Sequence, residues 1–469
     1  MIVSEPTIRS SASALDDEVL ETLRTQLRGQ LLQPDDPDYD AVRQLWNAMI
    51  DRHPALIVRC TGVADVIAAV AFAREHALLL AVRGGGHNVA GNAVCDGGLM
   101  LDLSLMKGIR VDPVGRTAWA EAGVLWAELD HETQAFGLAA VGGTVSTTGI
   151  AGLTLGGGFG WLTRQHGLVC DNLLSADVVT ADGRFLHASA EENPDLFWGL
   201  HGGGGNFGVV TAFEYRLHEV GPTILAGPIF HAIDDAQELF RAFRDAASTA
   251  PDALGGMAAM LTSPEGAPLA ALVPVWTGPL DEGEAVLRPL REVGSPVADL
   301  VGPMPYRTMQ TLFDAAFPPG RRNYWKSGFL RNLDDAAIDV LVEHSRRAPS
   351  PAAGFGIELY GGAVSRMGPE ETAFPHRGYP FNILIFTAWD DPAEDAVNMG
   401  WGRELWAALQ PFAADGVYVN YLSDAVVEGQ DRVRAAYGPA IYERLADLKR
   451  AYDPENLFCM NQNISPAPA

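Results

Sequence analysis

At 469 residues, with 48% hydrophobic and 20% charged side chains, the chain is too long for one ordinary core and suits two or three globular domains. Its 59 acidic against 33 basic residues give a formal charge of −26, which repels phosphate backbones and anionic lipid and, without a basic stripe, argues against nucleic-acid or membrane partners. Cys60, Cys95, Cys170 and Cys459 show neither CxxC nor Cys/His ligand spacing, so no disulfide framework and no metal site is expected, and reduced thiols suit a cytoplasmic protein. Residues 1–12 read as a loose end lacking the basic region and apolar core of a secretion signal, and no run reaches the roughly 18 apolar residues of a spanning helix.

A helix is expected from Ser13 or Ala14, where Asp16, Asp17 and Glu18 favour a helix N-terminus. From Pro54, LIVRC reads as a strand, VADVIAAVAFAREH as an amphipathic helix and LLLAVRG as a strand running into glycines. Between Val82 and Val210 the strands LMLDLS, TAWAEAG, SADVVTADG and FGVVTAFEYRL alternate with glycine clusters, the pattern of an α+β domain that wraps a ligand with backbone loops. Gly221 and Pro222 mark a boundary. Beyond them the helices AQELFRAFRDAAS, EGEAVLRPLREV and DDAAIDVLVEHSRR alternate with the strands LAALVPVW, FGIELYGGAV and FNILIFTAW, which predicts helices packed on a sheet. YVNYLS from 418 and a final helix over Pro439–Tyr452 form a segment expected to return to the first domain. The expected organisation is thus 1–218, 219–414 and a returning 415–469.

The first glycine loop ends a strand in Arg83, Gly84, Gly85, Gly86, His87 and Asn88. Consecutive glycines let backbone N–H groups converge on an anion, with Arg83 placed to help position a diphosphate. Alone, such a loop reads as a tight turn. GGTVSTTGIAGLTLGGGFG, from Gly142 to Gly160 with hydroxyls at Ser146, Thr147 and Thr148, repeats the theme, and so does HGGGGNFGVV, from His201 to Val210. Three such loops argue for a long, folded phosphate ligand. A dinucleotide-binding fingerprint is disfavoured, because these glycines open no long helix and no acid follows at the usual spacing.

RGGGHNVAG, GGGFGWLTRQHGLVCDNLLSADVVTADG, DLFWGLHGGGGNFGVVT, FPHR at 374–377, YVNY at 418–421, and YDPENLF with NQNI at 452–464 together resemble the berberine bridge enzyme-like oxidases of the vanillyl-alcohol oxidase flavoprotein superfamily, over nearly the whole chain. The resemblance implies a two-domain PCMH-type α+β fold: an FAD-binding domain, and a substrate domain built on an antiparallel sheet covered by helices. It implies FAD contacts from Arg83, Gly84, Gly85, Gly86, Asn88, Gly143, Thr144, Thr147, Thr148, Gly149, Gly152, Gly158, Gly208, Val210 and Asn463. His87 is implied to bond the 8α carbon of the flavin. Many relatives add a second bond from a cysteine; here that position is Val145, so a single tether is expected.

Oxidising an alcohol C–H requires a base for the O–H proton as well as a hydride acceptor. The resemblance gives that work to Tyr421, beside Tyr418 and Asn420, and an unperturbed phenol near 10 would need a neighbour to lower it. Glu358 and Tyr360 share a strand face at period two and are candidate catalytic partners, with a purely structural role in the sheet as the alternative. Asn382, Leu384 and Phe386 alternate on the next strand. Asn382 and Leu384 are expected in the substrate wall, Leu384 standing where plant relatives carry glutamine. Tyr324, with Trp325 and Lys326 in NYWKS, is expected to meet a planar or sugar-like substrate, and His376 and Arg377 to brace a loop. The expected reaction is oxidation of an alcohol, sugar or secondary metabolite by a monomer or homodimer, with dioxygen reduced to hydrogen peroxide. A dehydrogenase with another acceptor, or a flavin carrier without activity, fits the same motifs.

Overall fold

The computed structural model describes residues 15–263, 266–423 and 430–468. The expected loose end at 1–12 lies outside the described residues. The first described helix spans Asp17–Gln26, with Asp17 and Glu18 in its first turn, and the expected start at Ser13 or Ala14 lies outside the described residues.

Three sheets organise the chain beyond this helix. Strand Leu56–Arg59, helix Val63–Glu75 and strand Leu80–Arg83 form the expected unit, and both strands run parallel to Leu99–Asp102, which lies between them. A five-stranded antiparallel sheet comes next, in the order Ile109–Asp112, Thr117–Glu121, Val209–Arg216, Leu173–Val179, Phe185–Ser189. One apolar core joins these two sheets. The first glycine loop leaves the end of Leu80–Arg83, and the third enters Val209–Arg216, so the strand ends carry both loops to one region.

The third sheet is nine-stranded and antiparallel, from Thr223–Ala226 to Phe381–Trp389. Helices Ala236–Ala247, Leu280–Arg291, Asp335–Ser345 and Asp395–Leu409 cover one face of it, where Phe240, Ile338, Leu341 and Leu405 pack against Phe355, Ile357, Leu359, Ile383 and Ile385. Side chains alternate faces along a strand. Glu358, Asn382 and Leu384 therefore project from the opposite, helix-free face, and Glu358 and Asn382 stand directly across from each other in register.

The C-terminal helical run Gln430–Tyr452 breaks at Gly438, whose φ of +69° starts a fresh helix at Pro439, as expected. Tyr437, Ile441 and Leu445 join the core of the first two sheets, so the segment does return to them. Its anchor is Lys449, fully buried, which donates to the Asn206 and Phe458 carbonyls at 2.8 and 2.9 Å and to the Asp453 carboxylate at 2.6 Å. Asp453 also accepts the backbone N–H groups of Leu457 and Phe458. Removing one member of a buried ion pair leaves an uncompensated charge. Asp453→Ala is expected to destabilise the fold by about 3–5 kcal/mol, read as a lower midpoint of chemical denaturation, with a smaller loss for Asp453→Asn.

Candidate active site

Strand Leu80–Arg83 delivers the first glycine loop to the second at a backbone-to-backbone contact. A Cβ on Gly85 would lie 2.6 Å from both N and Cα of Gly149, so neither position admits a side chain. Gly86 then reverses the chain at a φ of +65°, a conformation that favours glycine. A cavity of about 1800 Å³, counting its open mouth, lies over this crossing. Gly84, Gly85, Gly86, His87 and Asn88 line it from the first loop, Gly143, Thr144, Thr148, Gly149 and Gly152 from the second, and Gly208 and Val210 from the third. A Cβ on Gly152 would meet no atom within 4 Å, which leaves open space above that backbone.

Four residues expected at the cofactor lie off the cavity. Arg83 turns away toward the buried carboxylate of Asp102, 3.8 Å distant, and donates to the Val42 carbonyl. Thr147 points to solvent. The Gly158 N–H donates to the Tyr418 hydroxyl at 2.9 Å. Asn463 is displaced by Ile464, whose burial and bond to Asn206 set the phase of the segment, so that Asn461 and Gln462 line the cavity instead. Ser146, read as a hydroxyl donor, is engaged with Asp314 at 2.6 Å.

His87 lines the cavity with its ring stacked on the Trp46 indole, centroids 4.4 Å apart and planes 18° apart. Burial pulls the imidazole down to about 4, so it is neutral near pH 7, and its Nε2 is buried with no hydrogen-bond partner. Val145, at the position of the second tether in relatives, also lines the cavity.

The opposite wall is apolar: Phe317, Trp325 and Leu384, with Tyr421 among them. Tyr324 is not part of it. One residue along the strand from Trp325, it takes the helix face, where its hydroxyl accepts from Arg403 at 3.2 Å and its ring lies 5.7 Å from the Lys326 ammonium. Alternation along the strand thus puts the tryptophan, rather than the tyrosine, in the cavity wall.

Tyr421 is placed by its neighbours. The Asn420 amide donates to the Leu153 carbonyl at 3.0 Å and the Tyr418 hydroxyl bonds Gly158, docking the short turn Val419–Tyr421 onto the end of the second glycine loop. Asn88 ties the same turn to the first loop through the Asn420 carbonyl, at 3.1 Å. The Tyr421 hydroxyl then donates to Glu358 Oε1 at 2.5 Å, while Asn382 donates to Oε2 at 2.7 Å. Burial raises Glu358 to about 7 against the pull of these two donors. Burial, and then the Glu358 charge, push Tyr421 well above its ordinary value. The neighbour that the protein itself gives this phenol is a carboxylate, which adds to burial in holding the proton rather than lowering its affinity. Asn382 is corrected from the substrate wall to a position behind Glu358, and does not line the cavity.

Tyr360 is also corrected. The strand ends at Leu359, and Tyr360 turns into a fully buried aromatic cluster, stacked on Phe159 at 4.7 Å with its hydroxyl unpartnered. Arg377 and His376 do brace: Arg377 pairs with Asp171 at 2.7 Å and His376 bonds the Ala436 carbonyl at 2.8 Å. Trp46 and Phe317 escaped the sequence reading, since both lie in irregular segments without periodicity. A tryptophan followed by asparagine in a short loop was the one visible signal.

Two family models match the chain: an FAD binding domain over residues 54–189 and a berberine and berberine-like domain over 417–465. (R)-6-hydroxynicotine oxidase of Paenarthrobacter nicotinovorans is 33% identical, across 94% of this chain and 97% of that protein. The uncharacterised FAD-linked oxidoreductase YgaK of Bacillus subtilis is 32% identical across 94% and 98%. Among solved structures, 6-hydroxy-D-nicotine oxidase from Arthrobacter nicotinovorans superposes with a TM-score of 0.87 at 32% identity, over 94% of this chain and 98% of that one. BBE-like 1 of Physcomitrella patens, at 24% identity, shares the fold with the same score over 96% and 100%. The glycine cradle, the long cavity and the relatives agree, and the chain belongs to the berberine bridge enzyme-like family of FAD-linked oxidoreductases, with the PCMH-type fold.

Proposed function

We propose that this enzyme is an oxidase that takes hydride from a planar, largely apolar small molecule carrying one O–H or N–H beside the reacting C–H, with FAD tethered through His87 alone and dioxygen as acceptor. The observation that carries the reading is the Tyr421–Glu358–Asn382 chain, which runs inward from Tyr421 in the lining of the cavity that His87 also lines. FAD, when bound, supplies a hydride acceptor at N5 and a route for two electrons to dioxygen. The glycine loops hold it by backbone, and Phe317, Trp325 and Leu384 exclude water around the substrate.

The protein's own part is a proton relay. The Tyr421 oxygen accepts the substrate proton as its own proton passes across the 2.5 Å hydrogen bond to Glu358. Asn382 holds the second carboxylate oxygen and keeps the first aimed at Tyr421. The apolar wall favours a planar ring over a polyhydroxylated sugar, whose hydroxyls would lose water without gaining partners. The relative named for 6-hydroxynicotine supports the same substrate class. For the tether, a neutral imidazole with an unpartnered Nε2 is the group required, and Val145 offers no thiol for a second bond.

Glu358 accepts a proton only as the carboxylate, so flavin reduction should be slow at acid pH, rise through about 7 and level off above it. Anaerobic stopped-flow bleaching reads this directly. Glu358→Gln should abolish the pH limb, and it and Tyr421→Phe should each lower the reduction rate by about 10²–10⁴-fold while the protein stays yellow. Unchanged kinetics in both variants would remove the relay, and very slow reoxidation of reduced enzyme by dissolved oxygen would remove the oxidase.

The tether has its own check. Acid-precipitated protein should stay yellow and carry the added mass of one FAD; in His87→Ala both signs vanish while dissociable FAD remains.

A further inference from the structure

We propose that Trp46 is the positioning residue for covalent attachment of FAD: its indole is a fixed plate that holds the His87 imidazole with Nε2 free to bond the flavin. The inference rests on the tether reading and deepens it, because it assigns a role to a residue outside the cavity lining.

Three hydrogen bonds make the plate rigid. The Trp46 backbone N–H donates to the Gly86 carbonyl at 3.1 Å, its carbonyl accepts from the Gly320 N–H at 3.1 Å, and its indole N–H donates to the Phe317 carbonyl at 3.0 Å. The indole therefore has no freedom to rotate, being tied to the residue before His87 and to the segment that bears Phe317. Trp325 closes the other side, edge-on at 5.5 Å. Against this plate His87 stacks at 4.4 Å, nearly parallel.

Stacking fixes a ring plane without taking a ring nitrogen. A hydrogen-bonding partner at Nε2 would hold the ring equally well but would occupy the atom that must react, and Nε2 has none. Asn47 extends the clamp. Its amide donates to the carbonyls of Val89 and Asn323 at 2.9 and 3.0 Å, and its oxygen accepts from the Asn323 N–H at 2.9 Å, so the loop carrying His87 and the strand carrying Trp325 are held to one short segment.

In the attachment, the imidazole N–H and one C–H of the flavin's 8-methyl group are lost and an N–C bond forms. The two electrons and two protons released pass through the flavin to dioxygen, giving hydrogen peroxide. No other reactant is needed. Orientation is the protein's contribution, and misplacing a reacting atom by about 1 Å costs on the order of 10²-fold in rate.

The test follows the rate at which full-length apoprotein, made under riboflavin limitation and mixed with FAD in air, gains covalent flavin, read as fluorescence of the denatured band and as added mass. Trp46→Phe, which keeps an aromatic face, should tether at near the wild-type rate. Trp46→Leu, which fills space without one, should bind FAD yet tether about 10–100-fold more slowly. Wild-type rates in Trp46→Leu overturn the inference, and so does a Trp46→Phe protein as slow as Trp46→Leu. Should the leucine variant fail to fold, Trp46→Tyr against Trp46→Met makes the same comparison: a fast tyrosine variant beside a slow methionine variant supports the inference, and equal rates overturn it. Wild-type protein that gains no covalent flavin removes the tether reading and this inference with it, whereas a tethered wild type with an unaffected leucine variant removes the inference alone.

Discussion

The site depends on two backbones touching. Gly85 and Gly149 approach so closely that a methyl group on Gly85 would overlap the Gly149 main chain at 2.6 Å. That contact makes the cavity floor out of peptide groups, which is what a long, charged, flexible cofactor requires from a chain that carries a net charge of −26. It also determines where His87 emerges, two residues past the crossing, and where Val145 and Thr148 face, just before it.

On the other side of the cavity the governing rule is strand alternation. The nine-stranded sheet gives one face to its helices and leaves the other to the cofactor. A carboxylate on the buried face is costly unless donors satisfy it. Glu358 receives two, one from Asn382 directly across the sheet and one from Tyr421 arriving on the C-terminal segment. The same burial that makes the carboxylate costly raises its proton affinity to near neutrality, where it can take up a proton and give it back. Tyr421 is held beside it by Tyr418 and Asn420, which are engaged with the glycine loop, so the glycine side and the carboxylate side share one set of contacts.

Much of this was legible beforehand. The strand–helix–strand unit from residue 56 and the helices and sheet beyond Gly221 follow from apolar periodicity and from punctuation by glycine and proline. The glycine loops announced a phosphate-bearing ligand because glycine at that density has few other uses. Errors clustered where side-chain direction mattered. Tyr324 and Trp325 are adjacent in the sequence, and only the position of the covering helix Asp395–Leu409 says which of them faces the cavity. Arg83 looked like a phosphate ligand until the buried Asp102 drew it away.

By itself, then, the sequence determined a phosphate-bearing ligand held by glycine loops and the set of strands and helices, because these depend on local composition and on period, while FAD and the tether candidate His87 came from the resemblance of its motifs to a known family. Tertiary structure decided that Glu358, Asn382 and Tyr421 form one chain and that Tyr360 does not join it. It also decided that Trp46 lies against His87. Each of those contacts joins residues tens of positions apart, and no local pattern encodes a distance across a sheet or between two loops. The direction of the proton affinities was likewise a tertiary matter: burial raised the phenol and the carboxylate together.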